Sequence, residues 1–293
     1  MFKGSIPALV TPMSDDGSID FAAWDRVLDF HIEQGTDGLV VGGTTGESPV
    51  LEHTELEELV VAAKKRVAGR MPVIAGSGTN GTSKSVALSK IAEKAGADAL
   101  LVVTPYYNKP SQEGLYRHFM AIAEGVSLPI ILYNVPSRTA CDMLPATVER
   151  LAEHPNIVSI KEATGDISRC GEILRRTGED FVVLSGDDPT AADLMRAGAS
   201  GVISVTANVA ARAMHDMCAA ALAGRHDDAR RMNDALMPLH KALFVESSPS
   251  PVKWAVRRLG LIGPGIRLPL VELSEAARPT VEAAMREAGV ELP

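Results

Sequence analysis

Eight short apolar runs, each bounded by Gly, Pro or Asp, recur along the chain at roughly 25–35-residue intervals. They read I-P-A-L-V-T-P, D-G-L-V-V-G-G, P-V-I-A-G-S-G, A-L-L-V-V-T-P, P-I-I-L-Y-N-V-P, I-V-S-I-K-E-A, F-V-V-L-S-G-D-D and G-V-I-S-V. Their hydrophobicity is continuous, not alternating, as a parallel sheet covered on both faces requires. Between them, apolar residues recur at helical spacing over 21–34, 53–68, 83–95, 111–124 and 145–154. Gly96 and Gly198 each follow a helical pattern and precede the next strand, where a left-handed C-terminal turn is expected. About eight strand–helix units in series predict an α/β fold, a (β/α)8 TIM barrel. A doubly wound open sheet is the competing architecture, since periodicity does not show closure. After Val205 only helical patterns remain, including 227–243 and 276–288. The expected division is a barrel over 1–224 and a helical C-terminal region over 225–293 packed on it, with no low-complexity linker between them.

Composition narrows the function classes. Of 293 residues, 46% are hydrophobic and 23% charged, with mean hydropathy +0.08. The net charge of −8 and pI near 5.4 disfavour nucleic acid and anionic membranes as partners. Cys141, Cys170 and Cys218 are odd in number and form no C-x-x-C pair, so packed, reduced thiols are expected. The N-terminus enters a strand pattern directly, without a basic region followed by an apolar stretch. No apolar run approaches the roughly 18–20 residues that span a bilayer. A cytoplasmic protein is expected.

In a barrel of this kind, chemistry collects at the C-terminal ends of the strands. Those positions here hold G-G-T-T-G-E-S at 42–48, T-P-Y-Y-N at 104–108, Y-N-V-P-S-R at 133–138, Lys161-Glu162, S-G-D-D at 185–188 and Ile203. Lys161 stands out because the other lysines fall at the terminus, on polar helix faces or in loops. Burial favours its neutral amine, which attacks ketones to form a Schiff base. A structural ion pair with Glu162 or another barrel carboxylate would equally explain a lysine there. Tyr133 ends the fifth run, one strand before Lys161, and a phenol near an imine can exchange a proton that Thr44 and Tyr107 hydroxyls can pass on. Strand-end tyrosines also pack simply with a wet hydroxyl, and Thr44 and Thr45 could merely shape a turn. Arg138 follows a Pro-Ser turn and suits a substrate carboxylate, or is a surface arginine. No P-loop, G-x-S-x-G or H-E-x-x-H occurs, and seven scattered histidines offer no metal-ligand spacing, so no metal is expected. In S-G-D-D, Asp188 before Pro189 is expected to cap the following helix.

G-T-T-G-E-S at 43–48, V-T-P-Y-Y-N-K-P-S-Q-E-G-L-Y at 103–116, Y-N-V-P-S-R-T at 133–139 and I-K-E-A-T-G at 160–165 resemble the dihydrodipicolinate synthase family, within the pyruvate-dependent class I aldolases. L-S-G-D-D at 184–188, G-V-I-S-V-T-A-N-V at 201–209 and P-V-K-W-A at 251–255 match too. The resemblance implies a cofactor-independent lyase of the diaminopimelate route to lysine, joining pyruvate to L-aspartate 4-semialdehyde. Lys161 would form the imine, with Tyr133, Thr44 and Tyr107 as proton relay. Thr45, the Ile203 backbone and Gly186 would lie near pyruvate, and Arg138 would hold the semialdehyde carboxylate. It further implies a homotetramer in which Tyr107 reaches the neighbouring subunit's site. The family's lysine effector site corresponds to Ser48, His53, Asn80, Lys84 and Tyr106; Pro49, Leu56 and above all Lys84 depart from its pattern, which implies weak or absent lysine inhibition. A sibling sugar-acid lyase, or a non-catalytic amino-acid sensor on the same scaffold, is the alternative.

Overall fold

The computed structural model describes residues 2–293. Each apolar run forms a strand: β1 Gly4–Pro7, β2 Leu39–Val41, β3 Val73–Gly76, β4 Ala99–Val103, β5 Ile130–Asn134, β6 Ile157–Glu162, β7 Val182–Ser185 and β8 Gly201–Ser204. The strands are parallel, in the order β1-β8-β7-β6-β5-β4-β3-β2. The last gap is spanned where Ala8, just past β1, bridges Val40 of β2. The architecture is the (β/α)8 barrel, and the open sheet is excluded.

Strand alternation sorts the side chains into two cores. Ile6, Val40, Ile74, Leu101, Ile131, Tyr133, Leu184 and Ile203 fill the barrel. Leu39, Leu100, Leu132, Ile160 and Val183 instead face outward and join Trp24, Leu59, Leu115 and Phe119 of the surrounding helices. Leu115, Phe119 and Ile122, spaced by four and three residues along the helix Gln112–Ala123, are fully buried. Each such side chain contributes roughly 1.5–3 kcal/mol.

Helix ends fall within one or two residues of the sequence expectation, because the outermost residues serve as caps. Phe21–Gln34 is capped by Asp20, whose carboxylate accepts the Ala23 N–H at 2.9 Å. Ser111 accepts the Gly114 N–H and stands just outside its helix. Gly96 and Gly198 take φ values of 85° and 112°, a region open to glycine at no steric cost. Beyond β8 come the helices Ala211–Leu222, His226–Ala242, Ser250–Arg258 and Arg278–Glu287. Leu236, Leu239, Val252 and Val281 from these helices enter the same cluster as the barrel helices. No helix of the described residues is long and apolar enough to cross a membrane.

Candidate active site

Lys161 and Tyr133 sit opposite each other in register on β6 and β5, on the inward face. Both are nearly buried, with 5% and 7% exposure. Lys161 Nζ stands over the Tyr133 ring, 4.3 Å from its centroid. Among the described residues, the Lys161 amine makes no ion pair and no hydrogen bond. Alternation explains why the neighbouring Glu162 is not its partner: that side chain points out of the barrel. Glu162 accepts the Thr164 N–H at 2.9 Å and an Asn134 amide N–H at 3.3 Å, and Arg169 approaches at 3.5 Å. Burial pushes the Glu162 carboxyl above its usual range, against the opposing pull of Arg169. The ion-pair explanation of Lys161 thus fails on geometry.

A cavity of about 110 Å³ opens above this pair. Gly43, Thr44, Thr45, Tyr133, Arg138, Lys161 and Gly186 line it, together with Phe244 and Ser248 from beyond the barrel. Thr44 and Thr45 lie in a 3₁₀ turn, Thr44–Gly46, at the end of β2. Neither their hydroxyls nor the Tyr133 Oη has a hydrogen-bond partner among the described residues, so all three are free to address a ligand. Gly186 is sterically required: a Cβ there would lie 2.6 Å from Ala163 Cβ and 2.8 Å from Lys161 Cε. Arg138 lies in the short helix Pro136–Thr139 directly after β5 and points its exposed side chain at the cavity rim. The set offers an amine free of ion pairs, an adjacent phenol, two hydroxyls and a fork-shaped cation, a combination suited to imine chemistry on a small oxo acid.

Two expected residues are not brought to this cavity within one chain. Tyr107 does not line it and is 86% exposed, with φ 76°. Ile203 packs its side chain in the barrel interior with 1% exposure, and Val205, just past the end of β8, is the residue that reaches the lining. Two further expectations are corrected. Asp188 does not cap the following helix, Ala191–Arg196, whose N-cap residue is Thr190. Its Oδ2 accepts the N–H groups of Val205 and Thr206, both at 2.9 Å, and so fixes the chain where it leaves β8. Lys253, one of the lysines expected at the terminus, on polar helix faces or in loops, is instead buried and paired with Glu47, which is buried as well. Both corrections involve partners distant in sequence, which local patterns do not reveal.

A second cavity of about 350 Å³ adjoins the first and shares Thr44, Val135 and Arg138 with it. Ser48, His53, Asn80, Lys84 and Tyr106 all line it, as do Pro49 and Leu56. Its walls carry no Asp or Glu. Among the described residues, no group of three His, Cys, Asp or Glu is placed to hold a metal ion. Cys141, Cys170 and Cys218 are free and buried, and burial pushes the Cys170 thiol up to about 11.

Residues 1–288 match the model of the dihydrodipicolinate synthetase family. The 4-hydroxy-tetrahydrodipicolinate synthase of Stutzerimonas stutzeri is 57% identical over 290 residues, covering 99% of each chain. A chloride-inhibited dihydrodipicolinate synthase from Acinetobacter baumannii, solved with pyruvate, superposes with TM-score 0.97 at 48% identity, covering 99% of this chain and 100% of that one. The Cyanidioschyzon merolae enzyme, solved with lysine bound, gives TM-score 0.95 at 40% identity, covering 99% of each. A family match over nearly the whole chain, joined to relatives this similar along their full length, places the chain in the dihydrodipicolinate synthetase family.

Proposed function

We propose that this chain condenses pyruvate with L-aspartate 4-semialdehyde, the 4-hydroxy-tetrahydrodipicolinate synthase reaction, through a Schiff base on Lys161. The observation that carries the reading is the amine of Lys161, nearly buried, uncommitted to any carboxylate and stacked 4.3 Å from the Tyr133 ring centroid. In this mechanism Nζ adds to C2 of pyruvate and the carbinolamine loses water, leaving an imine. The imine draws electrons from C3, which loses a proton to give an enamine. That carbon attacks the semialdehyde carbonyl, whose oxygen takes up a proton. The amino group of the joined substrate then adds to the imine carbon and expels Lys161, closing the ring and regenerating the free amine. Each proton movement needs a group that both gives and accepts, which the Tyr133 phenol and Thr44 hydroxyl can do. Thr45 and the close-packed Gly186 suit the pyruvate side, with the β8 backbone at Ile203 beneath. Arg138 at the rim suits the carboxylate of the second substrate.

Tyr107 is proposed to complete the relay in a neighbouring subunit of a homotetramer. Support comes from its 86% exposure in a left-handed backbone conformation that costs an L-residue about 1–2 kcal/mol. Activity should then fall on dilution to verified monomers. The decisive experiment for the main reaction is incubation with pyruvate, reduction with borohydride and mass spectrometry of the peptides. An adduct on Lys161, followed by turnover with aspartate semialdehyde and not with sugar acids, is the expected result. No adduct, or one elsewhere, refutes it.

A further inference from the structure

The turn that carries Thr44 and Thr45 is held from behind by residues far away in the sequence. Two 3₁₀ turns, Thr44–Gly46 and Ser48–Val50, meet at Glu47. Glu47 adopts φ 61° and ψ 34°, a left-handed conformation unfavourable for a residue with a β-carbon. Its N–H donates to the Thr44 carbonyl at 3.1 Å and so closes the first turn. A strained residue persists where its surroundings over-determine it, and here the side chain supplies that constraint. The Glu47 carboxylate is fully buried; Oε1 accepts from Lys253 Nζ and Oε2 accepts the Arg267 N–H at 3.0 Å. Lys253 is itself buried, on the helix Ser250–Arg258. The Arg267 guanidinium then donates to the carbonyls of Gly17 and Val50 and pairs with Glu55. The far side of the turn is equally fixed: Thr11 Oγ1 donates to the Gly46 carbonyl at 2.7 Å.

A buried ion pair is weak grounds for stability, because desolvation offsets its attraction, and apolar residues of similar shape can replace it with little loss. Burial does push the Lys253 ammonium below its usual range, opposed by Glu47. What such a pair does supply is a fixed geometry, and the geometry here is that of two residues lining the Lys161 cavity. We propose that Glu47 and Lys253 are positioning residues for pyruvate: their contact sets the turn so that Thr44 and Thr45 face Lys161, and it makes the helical C-terminal region part of the pyruvate site. This rests on the assignment of Lys161 and Thr45 to pyruvate.

The test titrates pyruvate against borohydride-trapped adduct on Lys161 in the full-length protein. The forms compared are the unaltered chain, Glu47→Gln, Lys253→Met and the double variant Glu47→Met/Lys253→Met. Thermal midpoints and KM for the semialdehyde are recorded beside them. Each single variant should need at least about tenfold more pyruvate for half-maximal adduct, since displacement by an ångström can cost about 10²-fold. The semialdehyde KM should stay within about threefold. The double variant decides the matter where a single one fails to fold: its thermal midpoint should return toward that of the unaltered chain while its pyruvate requirement stays raised. A folded double variant that titrates like the unaltered chain overturns the role of the pair and leaves the Lys161 reading intact. No adduct in the unaltered chain overturns the Lys161 reading, and this inference with it.

Discussion

Tyr133→Phe separates chemistry from architecture unusually well. The substitution removes only Oη; the ring stays in β5, opposite Lys161 in register and 4.3 Å from its amine. No described residue hydrogen-bonds that hydroxyl, so its removal leaves no buried group without a partner, and stability should change by less than about 1 kcal/mol. For a barrel of this size that is a shift in thermal midpoint of a few degrees at most. The catalytic loss should be much larger. A positioned proton-transfer group contributes about 10²–10⁴-fold, equivalent to about 3–5 kcal/mol in the barrier. The assay is kcat for ring formation from pyruvate and semialdehyde, with the thermal midpoint measured on the same preparation and the rate of borohydride trapping at Lys161 measured separately. A drop of at least about 10²-fold in kcat at near-native stability is expected. A kcat within about threefold of the unaltered enzyme would refute the proton-transfer role, and an equal loss explained by unfolding would refute the structural reasoning.

Other outcomes follow from the same geometry. Gly186→Ala should cut the rate of adduct formation by about 10²-fold, because the new Cβ would stand 2.6 Å from Ala163 Cβ and 2.8 Å from Lys161 Cε and force the amine aside; trapping as fast as in the unaltered chain would count against a packed lysine. L-Lysine should inhibit weakly or not at all, since the second cavity offers its ammonium groups Lys84 and no carboxylate; a micromolar inhibition constant in steady-state assays would overturn this. Stability should fall as pH drops from about 6.5 toward 4. Burial holds His31 down to about 3 and His118 down to about 4, so the unfolded chain takes up protons that the fold refuses. At pH 5 the loss is about 2 kcal/mol for each histidine. Urea unfolding at pH 7 and pH 5 measures it, and equal midpoints would exclude neutral histidines in the core.

The sequence by itself determined the eight strands and most of the helices. Continuous apolar runs and caps are local features, readable wherever both faces of a strand are covered. It also singled out Lys161, because a charge at the end of a buried run conflicts with its surroundings. Residues one strand apart and at matching distance from the strand ends, such as Tyr133 and Lys161, can even be placed on one face in advance. The sequence could not choose between a catalytic amine and an ion pair with Glu162. Only the inward–outward alternation in β6 decided that, by sending the carboxylate to Arg169. Closure through Ala8 and Val40, the seat of Asp188 under Val205 and Thr206, and the pairing of Glu47 with Lys253 likewise came only with the tertiary structure. Glu47 and Lys253 are 206 residues apart, and each alone looks like an ordinary polar residue. Their meaning arises from the energy of burying a charge, and that is set by which segments the folded chain brings together.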